Sequence, residues 1–256
     1  MLFLKNKEEN SLDNFKRFDP SNWDELKLRL SYKLVSRKVF HSSNDIEDFV
    51  YKDSMDLTKI CIVSEVSQNR KNIISYALKQ EDLKRFDMTE EEVIEQTNEN
   101  YHNDRLLRIR SLKEDAVSRE TMAPLMTDFD CMSLSGPNQL IEDYDEDKHH
   151  DNILIASNKY NVFGASYMLN QDFLNLIYNR MKGAFYILPM SVHQIMCVSK
   201  DYVTKNKDAY EAEDDLLDML FEINSKNKNV EDILSYKIYE YLPDDGCKLF
   251  AIKQNI

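Results

Sequence analysis

Residues 184–199 read AFYILPMSVHQIMCVS, and their reading decides the fold. Two runs of strand-forming residues, Ala184–Pro189 and Val192–Ser199, flank a bend. Pro189 cannot donate to a ladder, so it closes the first run, and the second returns beside it. Upstream, Phe173, Leu174, Ile177 and Met181 share one face of a helix over Gln171–Met181, stopped at Gly183. Downstream, Leu216, Leu217, Leu220 and Ile223 form the apolar stripe of an acidic helix over 208–224. SYKIYEYL (235–242), the turn Pro243-Asp244-Asp245-Gly246 and CKLFAI (247–252) make a terminal hairpin. ILIAS (153–157) and VFGASYML (162–169) are expected as two more strands. Sheet and helices in this order predict an α+β fold, an antiparallel or mixed sheet with helices packed on it.

The first half carries the same grammar. Ser21 caps a helix in which Trp23, Leu26, Leu30 and Leu34 recur at helical spacing, ending near Arg37-Lys38. A short helix is expected over 44–52. TKICIVSEV (58–66) and IISYAL (73–78) read as strands around the polar turn SQNRKN. Thr89 and Glu92 form a capping-box pattern for a helix reaching about Tyr101. SYALKQEDL (75–83) aligns with SYMLNQDFL (166–174) at Ser, Tyr, Leu, Gln and Leu. Two related α/β halves would produce that match; so would the shared composition of strand-then-helix segments. The expected organisation is a leader over 1–19, an N-terminal half over 20–112, an irregular acidic insert or linker over 113–151, and a C-terminal half over 152–256.

Composition excludes several function classes. The chain has 256 residues, 46 acids against 33 Lys plus Arg, a formal charge of −13, and 42% hydrophobic residues. That is enough apolar material for a core. Its four glycines, Gly136, Gly164, Gly183 and Gly246, are isolated, so no Gly-rich nucleotide loop exists. The acidic balance argues against direct nucleic-acid binding. RLLRIR, with Arg105, Arg108 and Arg110, reads as a solvated face around Leu106, Leu107 and Ile109. No run of ~18 apolar residues is present, so no membrane span is expected. Cys61, Cys131, Cys197 and Cys247 form no C-x-x-C pair, and MLFLKNKEEN lacks a signal-peptide core. Reduced thiols and a cytoplasmic location are the expectation.

Candidate chemistry is sparse. His193 stands two residues after Ser191, and a His is the natural base near neutral pH. On an extended strand, residues two apart lie about 6–7 Å from each other, too far for a Ser–His hydrogen bond without a bend. Ser191 and His193 are therefore the two weak catalytic candidates, with a structural histidine as the competing reading. His149, His150 and Asp151 follow Asp143, Asp145 and Asp147, but a calcium loop from Asp143 would need Gly where Lys148 stands and an acid where Leu154 stands. Asp214, Asp215 and Asp218 lie opposite the apolar stripe of their helix. Tyr236, Tyr239 and Tyr241 read as hairpin packing, because Glu240, Asp244 and Asp245 adjoin them instead of a basic groove. No metal site and no cofactor are expected.

NWDELK (22–27), DLTKICIVSEV (56–66), TEEEVIEQTNEN (89–100), GASYMLNQDFLNLI (164–177), YILPMSVHQIMCV (186–198), EINSKN (222–227) and ILSYKIYEY (233–241) occur in that order. The pattern resembles the bacterial proteins grouped as domain-of-unknown-function family 5688, found mainly in clostridial firmicutes, and more distantly the YtpQ-like proteins. The clearest segments are Tyr186–Ile195 and Ile233–Tyr241. The resemblance implies a bacterial, cytoplasmic protein. It carries over no catalytic residue, and where the family shows an acid after the strand histidine this chain has Gln194. The function expected on all these grounds is a non-catalytic protein-interaction or regulatory module with a protein partner. Two alternatives stay open: an enzyme using His193 with a distant carboxylate, and an acidic decoy that occupies a nucleic-acid-binding protein.

Overall fold

A computed structural model describes residues 22–42, 46–66, 73–102, 107–111, 152–158, 161–227, 229–242 and 248–254. The chain divides into two compact units, Met1–Arg105 and Leu106–Ile256. The insert or linker expected over 113–151, with His149 and His150, lies outside the described residues, as do the 1–19 leader and the Pro243–Gly246 turn.

The first unit is built on a long strand. Helix α1 (Trp23–Leu26) runs through a 3-10 turn into β1 (Leu30–Ser36), followed by α2 (Arg37–His41), β2 (Tyr51–Ser54), β3 (Leu57–Val66), β4 (Ile73–Ala77), α3 (Gln80–Phe86) and α4 (Glu90–His102). β1 pairs antiparallel along one edge of β3. β2 and β4 share the other edge, one after the other. Three backbone bonds fill the gap between them: Cys61 N–H to Val50 O, Val50 N–H to Leu78 O, and Leu78 N–H to Cys61 O, each 2.9 Å.

The helix expected from Ser21 to Lys38 survives only as α1, because Leu30–Ser36 is a strand. Leu26, Leu30 and Leu34 are four apart, a spacing that suits a helix face and also one side of a strand. Tyr32 resolves the ambiguity: it is buried between Leu30 and Leu34, while Ser31, Lys33 and Val35 are only half-buried. Asn100 of α4 fixes the change of state by donating to the Lys27 and Leu30 carbonyls at 2.7 and 3.0 Å. Of the helix expected over 44–52, the described residues hold only a 3-10 turn, Ile46–Asp48, that leads into β2; Phe49 before the strand and Tyr51 on it pack their rings against Phe40 of α2. α4 covers the opposite face. There Leu30, Tyr32, Val50, Cys61, Val63, Leu78, Leu83 and Val93 form the core. The capping box at its start is present as read: Thr89 N–H reaches Glu92 at 2.8 Å, and Glu92 N–H reaches Thr89 Oγ1 at 3.2 Å.

The second unit is a six-stranded antiparallel sheet in the order β10-β9-β7-β8-β6-β5. Its strands are β5 (Leu107–Ser111), β6 (Ile153–Asn158), β7 (Phe185–Pro189), β8 (Ile195–Ser199), β9 (Lys237–Leu242) and β10 (Lys248–Gln254). The division expected at 112 places β5 in the first half, but its backbone pairs with β6. Both faces of the sheet are covered, which is why β7 and β8 are apolar without alternation. On one face Tyr186, Leu188, Met196, Val198 and Ile238 meet Leu216, Leu217 and Leu220 of α7 (Ala209–Lys226). On the other, Tyr241 donates to Asn175 and accepts from Gln171, both on α5 (Gln171–Met181).

VFGASYML is not the expected strand: Gly164–Leu169 is a 3-10 helix entered through Phe163 at φ 58°. The two matched segments, 75–83 and 166–174, are alike in structure at their helix starts. Gln80 and Gln171 each open a helix and Leu83 and Leu174 each bury, but a strand precedes one and a 3-10 turn the other. The two sheets also differ in strand order.

Candidate functional site

Ser191 and His193 lie in the connection between β7 and β8, not on a strand. Pro189 ends β7 at its pair with Ile195, so residues 190–194 must turn. That turn is bound on two sides. Val192 N–H donates to the Asp232 carbonyl at 2.8 Å, and Ala165 N–H donates to the Val192 carbonyl at 3.3 Å. Ser157 Oγ of β6 donates to the His193 carbonyl at 2.7 Å. Gly164 is required here: a Cβ at that position would stand 2.5 Å from Ser157 Oγ and 2.7 Å from both Asn158 N and His193 O.

The bend brings Ser191 and His193 together, but through the backbone. The His193 N–H donates to Ser191 Oγ at 3.0 Å. The ring is engaged elsewhere. Nδ1 accepts the Phe163 N–H at 3.1 Å, and Nε2 lies 3.5 Å from Asp232 Oδ1. A nitrogen that accepts an N–H carries no proton, so neutral His193 is the Nε2–H tautomer with its proton toward Asp232. The Phe163 ring stacks obliquely, its centroid 5.5 Å from the imidazole. Asp232 is the distant carboxylate that the sequence left unnamed, and it also binds the turn through its own backbone carbonyl. A Ser–His–Asp trio thus exists in space, but the nitrogen that would take the Ser191 proton is occupied by a backbone amide.

The other sequence candidates disperse. Asp215 pairs with Lys207, and Asp218 is exposed on α7. No group of three or more metal-type ligands occurs among the described residues. Tyr239 and Tyr241 are wholly buried, while Tyr236 is exposed. Arg108 and Arg110 flank the buried Ile109 on β5; Arg105 lies outside the described residues. Cys61 and Cys197 are buried free thiols. Burial pushes the Cys61 thiol up to about 12 and raises that of Cys197 as well. No helix among the described residues is long and apolar enough to cross a membrane.

The family model described as "Family of unknown function (DUF5688)" matches residues 2–242. The chain belongs to that family. Comparison with curated proteins and with solved structures gave no match. Within this DUF5688 chain, sequence reasoning passed over two features. One is a second His–Asp pair, His41 with Asp53, in the first unit. The other is the outward face of α7. Tyr210 and Phe221, about three helical turns apart, project on one side of it, 67% and 50% exposed. Tyr236 extends that face, 40% exposed, its ring centroid 6.3 Å from that of Phe221. The apolar spacing at 216, 217 and 220 drew attention to the buried stripe, and the aromatics outside it carry no period of their own.

Proposed function

We propose that this protein is a bacterial cytoplasmic interaction module without catalytic activity, and that it docks a protein partner through the outward face of α7. The observation that carries the reading is the exposed aromatic set Tyr210, Phe221 and Tyr236. Large aromatics left in water on and beside a helix that already buries a full apolar stripe are what interface hot spots are made of. α7 holds six acidic residues against Lys226 alone, so the partner surface is an apolar pocket rimmed by Lys and Arg. The occupied ring of His193 supports the same reading, since its free base is missing. The buried free thiols fit a reducing compartment.

The test is affinity capture from host lysate with the wild-type chain beside Phe221→Ala/Tyr236→Ala, both checked for native melting. One stoichiometric protein held by the wild type and lost by the variant supports the reading. An equal set of proteins on both, or none on either, overturns it.

A further inference from the structure

The two His–Asp pairs differ at a single nitrogen. In the first unit, His41 closes α2, and its Nε2 lies 3.0 and 3.3 Å from the two oxygens of Asp53 on β2. A carboxylate only accepts, so Nε2 carries a proton, and in the neutral ring Nδ1 carries the lone pair. His193 has the same tautomer, but a backbone N–H caps its Nδ1. At His41 no group among the described residues meets Nδ1, and the side chain is 34% exposed.

The surroundings of this open nitrogen are specific. Asp53 is held by three groups from two elements: Thr58 Oγ1 of β3 donates to it at 2.6 Å, and from α2 Arg37 Nε lies 3.1 Å away and His41 makes the third bond. Arg37 sits one turn before His41 on α2. It spends Nε on Asp53 and Nη1 on the Met55 carbonyl at 3.3 Å, and Nη2 makes no bond among the described residues. Phe40 and Tyr51 stand edge-on to the imidazole, at 5.5 and 5.8 Å, and fix its plane. A neutral, oriented imidazole with its lone pair outward is a nucleophile. A guanidinium with spare donors beside it is a seat for a tetrahedral oxyanion.

We infer that His41 is a phosphoryl acceptor, modified on Nδ1 by an activated donor of the acyl phosphate or phosphoramidate class. The Nδ1 lone pair attacks phosphorus and forms the N–P bond. The donor's P–O or P–N bond breaks, and its electron pair leaves with the donor group, which takes a proton from water. The Nε2 proton stays on the ring, where Asp53 balances the positive charge of the substituted imidazolium. Arg37 meets the phosphoryl oxygens. Asp53 is a positioning residue: it fixes which nitrogen is free. The inference stands apart from the docking reading, which concerns the other unit.

The test treats the full chain at neutral pH with potassium phosphoramidate and follows it by 31P NMR and peptide mass spectrometry. The expected product is Nδ1-phosphohistidine at His41, formed at least tenfold faster than any label at His193 of the same molecule. Because His193 is an internal control, this comparison needs no variant to fold. Asp53→Asn, whose amide can donate as well as accept, is expected to give a mixture of Nδ1 and Nε2 products, a change that mere loosening of α2 would not produce. Equal labelling of His41 and His193, labelling of His41 on Nε2 in the wild type, or no labelling of His41 overturns the inference.

Discussion

The Phe163 N–H donates to His193 Nδ1 at 3.1 Å, and this one bond gives a left-handed residue its acceptor. Phe163 is a buried aromatic at φ 58°, a conformation that costs about 1 kcal/mol or more for a residue with a Cβ. The histidine holds it there from across the β7–β8 turn. His193→Leu removes the acceptor and leaves Asp232 facing an alkyl group, so a loss of about 1–3 kcal/mol in urea unfolding is expected. His193→Asn places an amide oxygen near the position of Nδ1, so it recovers about half of that. Nitrogen chemical shifts of the imidazole should report the Nε2–H tautomer; an Nδ1–H tautomer would contradict the bond.

Asp53 carries a different prediction, in pH. Burial alone would raise its carboxyl, but the bonds from Thr58 and His41 and the charge of Arg37 outweigh burial and hold it below the usual carboxylate range. A carboxyl lowered on folding adds stability that is complete above its unfolded value of about 3.9 and is lost as pH falls through the folded value. Asp53→Asn should therefore cost about 1 kcal/mol at pH 7, a modest figure for a site that touches water. The gap between variant and wild type should narrow as urea midpoints are followed from pH 5 to pH 3. A gap that is constant across that range would assign the loss to shape and not to charge.

How far the sequence carried depends on whether one period or two explain a segment. α5 was legible to the residue because Phe173, Leu174, Ile177 and Met181 satisfy only a helix, with Asn170 bonded to Phe173 N–H at its start. β1 does not announce itself, because a spacing of four serves both helix and strand, and only Tyr32 distinguishes them. VFGASYML looked like a strand from its β-branched and aromatic residues. Yet Gly164 sits so close to Ser157, Asn158 and His193 that the chain turns there, a contact no local pattern encodes. His193 was found by type and place; its partners Phe163 and Asp232 lie 30 and 39 positions away in the chain numbering. His41 went unnoticed because its meaning comes from Asp53 across the sheet.

A half-buried ion pair in the second unit should show unequal single-variant effects. Glu240 of β9 is 7% exposed, and Lys200, which opens α6 (Lys200–Val203), donates to it. The same ammonium lies 5.8 Å from the ring centroid of Tyr186. Burial, and then the charges of Glu213 and Glu240, raise the Tyr186 phenol above its ordinary value. Lys200→Met strands the carboxylate and should cost about 2–3 kcal/mol, less than the ~3–5 of a fully buried pair because Lys200 keeps contact with water. The double variant Lys200→Met/Glu240→Leu should recover most of the loss. Losses that simply add in the double variant would show that the two side chains act separately.

Two glycines give the sharpest contrast in steric demand. A methyl at Gly164 would press on two backbone atoms, Asn158 N and His193 O, both at 2.7 Å, and neither can swing aside. Relief requires moving β6 away from the β7–β8 turn, which breaks the Ser157–His193 bond and pulls Phe163 from its histidine. Gly164→Ala should therefore cost about 3 kcal/mol or more, at the upper end of overpacking. At Gly183 the same methyl meets only Asp201 Oδ2 at 3.8 Å, an ordinary contact. Lys182 already takes the left-handed position that ends α5, so Gly183 does not have to. Gly183→Ala should stay within about 0.5–1 kcal/mol of wild type and can stabilise by restricting the unfolded chain. Thermal melts of the two variants side by side check both values, and equal losses would mean that the approach at Gly164 is looser than its distances state.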